Sequence, residues 1–132
     1  MLEKEFVPFE EALELKELEF DEPCVAFYEQ SKRLSIGFNW LNEGGKNSNL
    51  QECTAPTYSQ AFRWFREKYG LHQYIQQYCG ERFYFYIEDM IHPRRYEEYL
   101  IENLRNFGEY TSHEEAELAC LRKLIEIVKT KK

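Results

Sequence analysis

"APTYSQAFRWFREKYGL", residues 55–71, carries five aromatic side chains and two arginines behind a helix-start signal. At ~100° per residue, Tyr58, Ala61, Phe62, Phe65 and Tyr69 fall in one stripe with Trp64 on its flank. Ser59, Gln60, Arg63, Arg66 and Glu67 occupy the other side. An aromatic stripe at helical spacing belongs to a core far more often than to a binding surface. The stretch therefore predicts a helix over 57–69 that supports a core rather than gripping a ligand. Trp64 beside Ala61 widens the apolar face to what a helix contacted by two units needs.

Three helix starts resemble one another: "PFEEA" at Pro8, "PTYSQA" at Pro56 and "TSHEEA" at Thr111. Each sets a first turn with Pro, Ser or Thr and places acids or polar groups at the positive end of the helix dipole. After each of the first two, the chain passes into a pair of extended segments. "DEPCVAFYEQSKRLSIGFNW" gives a hairpin around residues 30–32, and "GLHQYIQQYCGERFYFYIED" gives one around Gly80 and Glu81. A short further strand is expected in "NLQECT" (49–54) and again in "NFGEYT" (106–111). The predicted order is α-β-β-(β)-α-β-β-(β)-α, an α+β fold with antiparallel sheet packed by helices. It is a single domain over 1–132, or two interlocked units (about 8–70 and 56–129) sharing the helix 57–69. "RRYEEYLIENLRN" (94–106) reads as an inserted helix, and "NEGGKNSN" as a loop. In the last helix Ala116, Cys120, Leu121, Leu124, Ile127 and Val128 form a broad apolar face, extended by Leu118 and Ile125, and Glu115, Arg122, Glu126 and Lys129 form the solvated side.

The chain has 132 residues, 43% hydrophobic and 31% charged, a globular rather than a disordered balance. Its net charge of −7 is unevenly placed: residues 1–22 hold nine acids against Lys4 and Lys16, so everything beyond them sums to zero. That start predicts a helix from about Phe9 to Leu18, docked through Phe9, Leu13 and Phe20 with its glutamates outward. It is too acidic for a secretory signal, and no apolar run approaches the ~20 residues of a membrane span. A cytoplasmic location without membrane contact is the expectation. Cys24, Cys53, Cys79 and Cys120 lie far apart with no C-x-x-C pair, so they read as reduced, partly buried thiols and not as a zinc site.

Three blocks, "EALELKELEFDEPC", "APTYSQAFRWFREKYGL" and "EEAELACLRKLIEIV", resemble a family of small uncharacterised proteins met in gut Bacteroidales genomes and in their phages and mobile elements. The resemblance covers the chain except for 90–108 and implies a source, not a chemistry. In element order alone, residues 56–129 are also similar to the double-stranded-RNA-binding domain, which runs α-β-β-β-α. That domain opens its final helix with lysines that meet phosphates. Here the corresponding positions are His113, Glu114, Glu115, Ala116 and Glu117, and acids facing phosphates repel.

No segment marks a catalytic site. The three histidines (His72, His92, His113) sit in no catalytic signature, "EGGK" lacks the spacing of a phosphate loop, and Glu88, Asp89 and His92 read as a solvated strand end rather than as metal ligands. The expectation is a non-enzyme without metal or cofactor. Arginines that could serve a nucleic acid are Arg63 with Arg66 and Arg94 with Arg95, each pair set among acids. The stronger lead is aromatic. In "RFYFYIED" the alternation puts Phe83, Phe85 and Ile87 on one face and Tyr84 and Tyr86 on the other, joined by Tyr74 and Tyr78 from "HQYIQQY". If helices cover the Phe face, the tyrosines form an open platform suited to a wet-edged protein contact; a sheet buried on both faces is the alternative. The expected function is a non-catalytic accessory or adaptor protein of phage or mobile-element origin, acting through a protein partner or self-association. The runner-up is a degenerate nucleic-acid-binding module related in shape to the double-stranded-RNA binders, and an acidic DNA mimic is the third reading.

Overall fold

Helices and antiparallel sheets alternate along the chain in an α+β fold, and the sheets are packed by helices. The computed structural model describes residues 2–29, 31–36, 53–78, 82–91 and 110–131. It divides into two compact units, Met1–Ala61 and Phe62–Lys132.

In the first unit a short 3-10 turn, Leu2–Glu5, leads to a single antiparallel bridge between Phe6 and Thr57, beside which the Val7 N–H donates to the Pro56 carbonyl at 2.9 Å. Helix α1, Phe9–Glu17, follows Pro8 without a side-chain cap. It ends in a Schellman turn: the Glu19 N–H reaches the Lys16 carbonyl and the Phe20 N–H reaches the Leu15 carbonyl, both at 3.0 Å. Glu19 takes the left-handed conformation this requires, with φ 68°. The turn brings buried Phe20 back over buried Leu15. Strands β1 (Ala26–Tyr28), β2 (Leu34–Ile36) and β3 (Cys53–Thr54) form a sheet in the order β2-β1-β3. The β1–β2 turn is closed by Lys32 N–H to Glu29 carbonyl (2.8 Å) and Glu29 N–H to Arg33 carbonyl (3.0 Å). Helix α1 packs against β3, and the buried Tyr28 hydroxyl donates to the Val7 carbonyl at 2.6 Å.

Helix α2, Tyr58–Tyr69, starts on a side-chain cap: the Gln60 N–H donates to Thr57 Oγ1 at 3.2 Å. The division between the units falls inside this helix, between Ala61 and Phe62. Tyr58, Ala61, Phe62, Trp64 and Phe65 are buried as the stripe predicts, Tyr69 is half-buried, and Ser59, Arg63 and Glu67 are exposed. Gly70 ends the helix at φ 68°, its N–H on the Arg66 carbonyl at 3.1 Å.

The second unit then forms an antiparallel pair, β4 (Leu71–Tyr78) and β5 (Arg82–Asp89), in continuous register from Leu71 opposite Asp89 to Tyr78 opposite Arg82. Helix α3, His113–Lys131, packs on both strands. Its start is capped twice: Ser112 Oγ accepts the Glu115 N–H at 3.1 Å, and the Glu115 carboxylate accepts the Thr111 N–H at 3.1 Å. Phe65, Phe85, Ile87, Leu121, Leu124 and Val128 are among the fully buried side chains of this unit. On α3 Ile125 is buried and Leu118 half-buried, while Glu115, Arg122, Glu126 and Lys129 are exposed.

The strands divide into two sheets, and β3 pairs with β1 rather than with its nearer neighbour β2. The second optional strand is reduced among the described residues to one bridge, in which Tyr110 and Phe83 exchange backbone hydrogen bonds of 2.8 and 3.0 Å. A three-stranded order like that of the RNA-binding domain is therefore not what the described part of the second unit forms. Helix α1 docks through Ala12 and Leu15, with Phe9 and Leu13 only half-buried, and Glu11 is buried at 5% exposure rather than turned outward. The reason is geometric: Glu11, Ala12 and Leu15 lie within one i, i+4 turn, so the face that buries Leu15 carries Glu11 with it. The expected helix 94–106, the loop 42–49 and Cys79 lie outside the described residues.

Candidate tyrosine platform

The two faces of the β4–β5 pair differ because side chains alternate along each strand. On the odd-numbered face, which α3 covers, Leu71, Phe85, Ile87 and Asp89 are buried, Gln73, Ile75 and Phe83 are half-buried, and Gln77 is exposed. The even-numbered face carries His72, Tyr74, Gln76 and the β4 position Tyr78, opposite Glu88, Tyr86, Tyr84 and Arg82 respectively. Tyr74, Tyr84 and Tyr86 are half-buried there, and Gln76 and Arg82 are exposed. The side chain of Tyr78 lies outside the described residues; its backbone pairs with Arg82.

The rings form a row. Tyr74 and Tyr86, directly opposite across the strands, stack with centroids 4.7 Å apart and planes 17° from parallel. Tyr84 and Tyr86, neighbours along β5, stack at 6.4 Å and 24°. Each end is tethered: the Tyr74 hydroxyl donates to Glu88 Oε2 at 3.3 Å, and the Tyr84 hydroxyl donates to the Gln76 side-chain carbonyl. Desolvation, followed by the nearby Glu88 charge, raises the Tyr74 and Tyr86 hydroxyls above the ordinary phenol value. The row is an ordered amphipathic surface of aromatic bodies and polar tips.

The arginines do not converge comparably. Arg63 is exposed and pairs with Glu67 at 3.5 Å one turn on, and an Arg66 guanidinium N–H donates to the Gln73 side-chain carbonyl at 3.2 Å. Lys68, on the same helix, lies over the Trp64 ring at 5.2 Å. Arg94 and Arg95 fall outside the described residues, as does His92. At the start of α3, Glu115 serves the cap and His113 sits 3.5 Å from Glu117. Among the described residues no three His, Cys, Asp or Glu side chains gather as a metal site would need, and no helix is long and apolar enough to cross a membrane.

Cys24, Cys53 and Cys120 are buried thiols outside any disulfide. Burial pushes Cys24 up to about 12 and Cys53 up to about 11, the opposite of what an activated nucleophile needs.

Arg82 and Glu88 share the even-numbered alternation of Tyr84 and Tyr86 along β5, whereas Gln76 and His72 on β4 are not singled out by it. The signal that finds them is the hairpin centre near Gly80 and Glu81, since folding the two strands about it pairs 74 with 86 and 72 with 88. Searches for similar proteins found no matching family model, no matching curated protein and no matching solved structure.

Proposed function

We propose that this protein is a non-catalytic protein-contact module that acts through the tyrosine face of the β4–β5 sheet. The observation that carries this reading is the stacked row Tyr84, Tyr86, Tyr74 on the sheet face opposite α3. A helix already covers the Phe85 and Ile87 face, so the fold does not require three aromatic rings on the other. Stacked tyrosines with tethered hydroxyls lose little conformational freedom on binding, which favours a protein interface. The same stacking disfavours nucleobases, because Tyr86 already stacks with two neighbouring rings, whereas a base needs a ring face to lie on. The accessory or adaptor role, and an origin in a phage or mobile element, rest on the resemblance of the three sequence blocks.

The test is the double substitution Tyr84→Ser with Tyr86→Ser. Light scattering, cross-linking and pull-down from a host extract should show association with wild type and its loss with the variant, at unchanged far-UV circular dichroism. A variant that unfolds would mean the rings belong to a two-sided core. RNA or DNA affinity that falls steeply with salt and disappears in the variant would replace the protein contact with a nucleic-acid one.

A further inference from the structure

We infer that the partner of the tyrosine face is a second copy of this chain, seated face to face about a two-fold axis that runs across the strands. This rests on the protein-contact reading of that face and adds the occupant and its orientation.

On β5 the platform begins at Arg82, at the hairpin end, and finishes at Glu88, about 20 Å away at ~3.3 Å per residue. A two-fold axis in the plane of the interface and perpendicular to the strands, crossing β5 at the level of Phe85, reverses the strand direction of the second copy. Arg82 of each copy then lies over Glu88 of the other, on the same strand. The same operation sets Tyr84 against Tyr86, and Tyr74 against Gln76, of the opposite copy. Arg82 then meets Glu88, Tyr84 meets Tyr86 and Tyr74 meets Gln76: cation with anion, ring with ring, and hydroxyl with amide. A two-fold axis along the strands would instead bring the two Arg82 ends together and the two Glu88 ends together. Charge selects the first arrangement.

Long-range electrostatics permit it. Residues 62–132 contain twelve Lys and Arg against twelve Asp and Glu, so the unit bearing the platform is formally neutral, and the whole −7 belongs to residues 1–61. Two such units add no net repulsion of their own, while the −7 carried by residues 1–61 of each full chain opposes association and is screened by salt. The face is small, however. Two eight-residue strands span roughly 27 Å by 10 Å, less than the ~800 Å² per partner of a standard interface. The association is accordingly weak, with a dissociation constant expected in the micromolar range.

Sedimentation equilibrium on the full chain, wild type against Arg82→Glu and Glu88→Arg, tests the arrangement. Each single variant places like charges at both ends of the interface and should weaken self-association about tenfold or more. An equimolar mixture of the two restores both opposite-charge pairs, and should form a 1:1 heterodimer about as tight as the wild-type homodimer. Circular dichroism checks that each variant is folded; the double exchange, Arg82→Glu with Glu88→Arg in one chain, repeats the test without mixing and should recover the homodimer. A wild type that stays monomeric up to about 1 mM, far above the expected micromolar range, overturns the second copy as partner. If Tyr84→Ser with Tyr86→Ser abolishes dimerisation but neither exchange restores it, the two-fold arrangement falls while the tyrosine face stands. If the dimer survives that tyrosine double variant, both this inference and the protein-contact reading of the face fail.

Discussion

At the scale of single residues, Glu19 holds a backbone conformation that an L-residue adopts at a cost. Its φ of 68° closes the Schellman turn that returns Phe20 onto Leu15, and Gly70 meets the same demand after α2 without a Cβ. Glu19→Gly should therefore stabilise the protein by about 0.5–1 kcal/mol, read as a higher urea midpoint at unchanged m-value. The exchange in the other direction, Gly70→Ala, strains φ and places a Cβ 2.7 Å from Ile91 Cγ1, so it should lower the midpoint. The buried thiols give a pH signature. Cys24 ionises near 9.0 in an ordinary environment and near 12 in the fold, so folded and unfolded chains bind its proton equally below about pH 8. Above pH 9 the unfolded chain loses the proton and the folded one keeps it, so stability falls as pH rises from 9 toward 12, and Cys53 acts the same way toward 11. Thermal melts across this range should show the decline, with a shallower one in Cys24→Ala. Thiol titration with an aromatic disulfide at pH 8 should leave Cys24, Cys53 and Cys120 unreacted until denaturant is added.

At the scale of elements, α2 shows what a capped amphipathic helix contributes. Thr57 satisfies one of its first N–H groups, Gly70 stops it, and between them Trp64 and Phe65 stack edge to face at 5.0 Å. Phe65 is fully buried and Trp64 is 4% exposed. Trp64→Ala or Phe65→Ala should each cost about 3–5 kcal/mol, enough to unfold a marginally stable domain. Both variants keeping the wild-type melting temperature would contradict the core assignment. The spacing of apolar residues announces this helix and α3, because a 3.6-residue period is written locally into the chain. It does not announce that Glu11 goes inward on α1. Periodicity sorts residues by polarity, and the one-turn proximity of Glu11 to Leu15 overrides polarity on a helix of nine residues. Alternation likewise separates Phe85 and Ile87 from Tyr84 and Tyr86 in advance, while the stacking of Tyr86 on Tyr74 depends on the partner strand.

At the scale of the whole molecule, the acidic start is structural rather than an appendage. Residues 1–22 supply α1, which packs on β3, and the Val7 carbonyl that receives the buried Tyr28 hydroxyl. Deleting them should expose Tyr28, Ala26 and Cys53 and leave a chain of zero formal charge that aggregates and melts at a lower temperature. A truncated protein that remains monomeric with an unchanged melt would show the segment to be dispensable. Local patterns in the chain specify the α+β class, the faces of α2 and α3, the position of both hairpins and the sorting of β5 into a core face and a tyrosine face, since these follow from periods of 3.6 and 2 and from turn chemistry between near neighbours. Tertiary structure alone decided that β3 joins β1, that the strands separate into two sheets, that Tyr110 contributes a single bridge to Phe83, and that three tyrosines from two strands stack in one row. Those outcomes depend on contacts between residues distant in the chain, whose closure is chosen by the packing of the whole unit and is encoded in no local pattern.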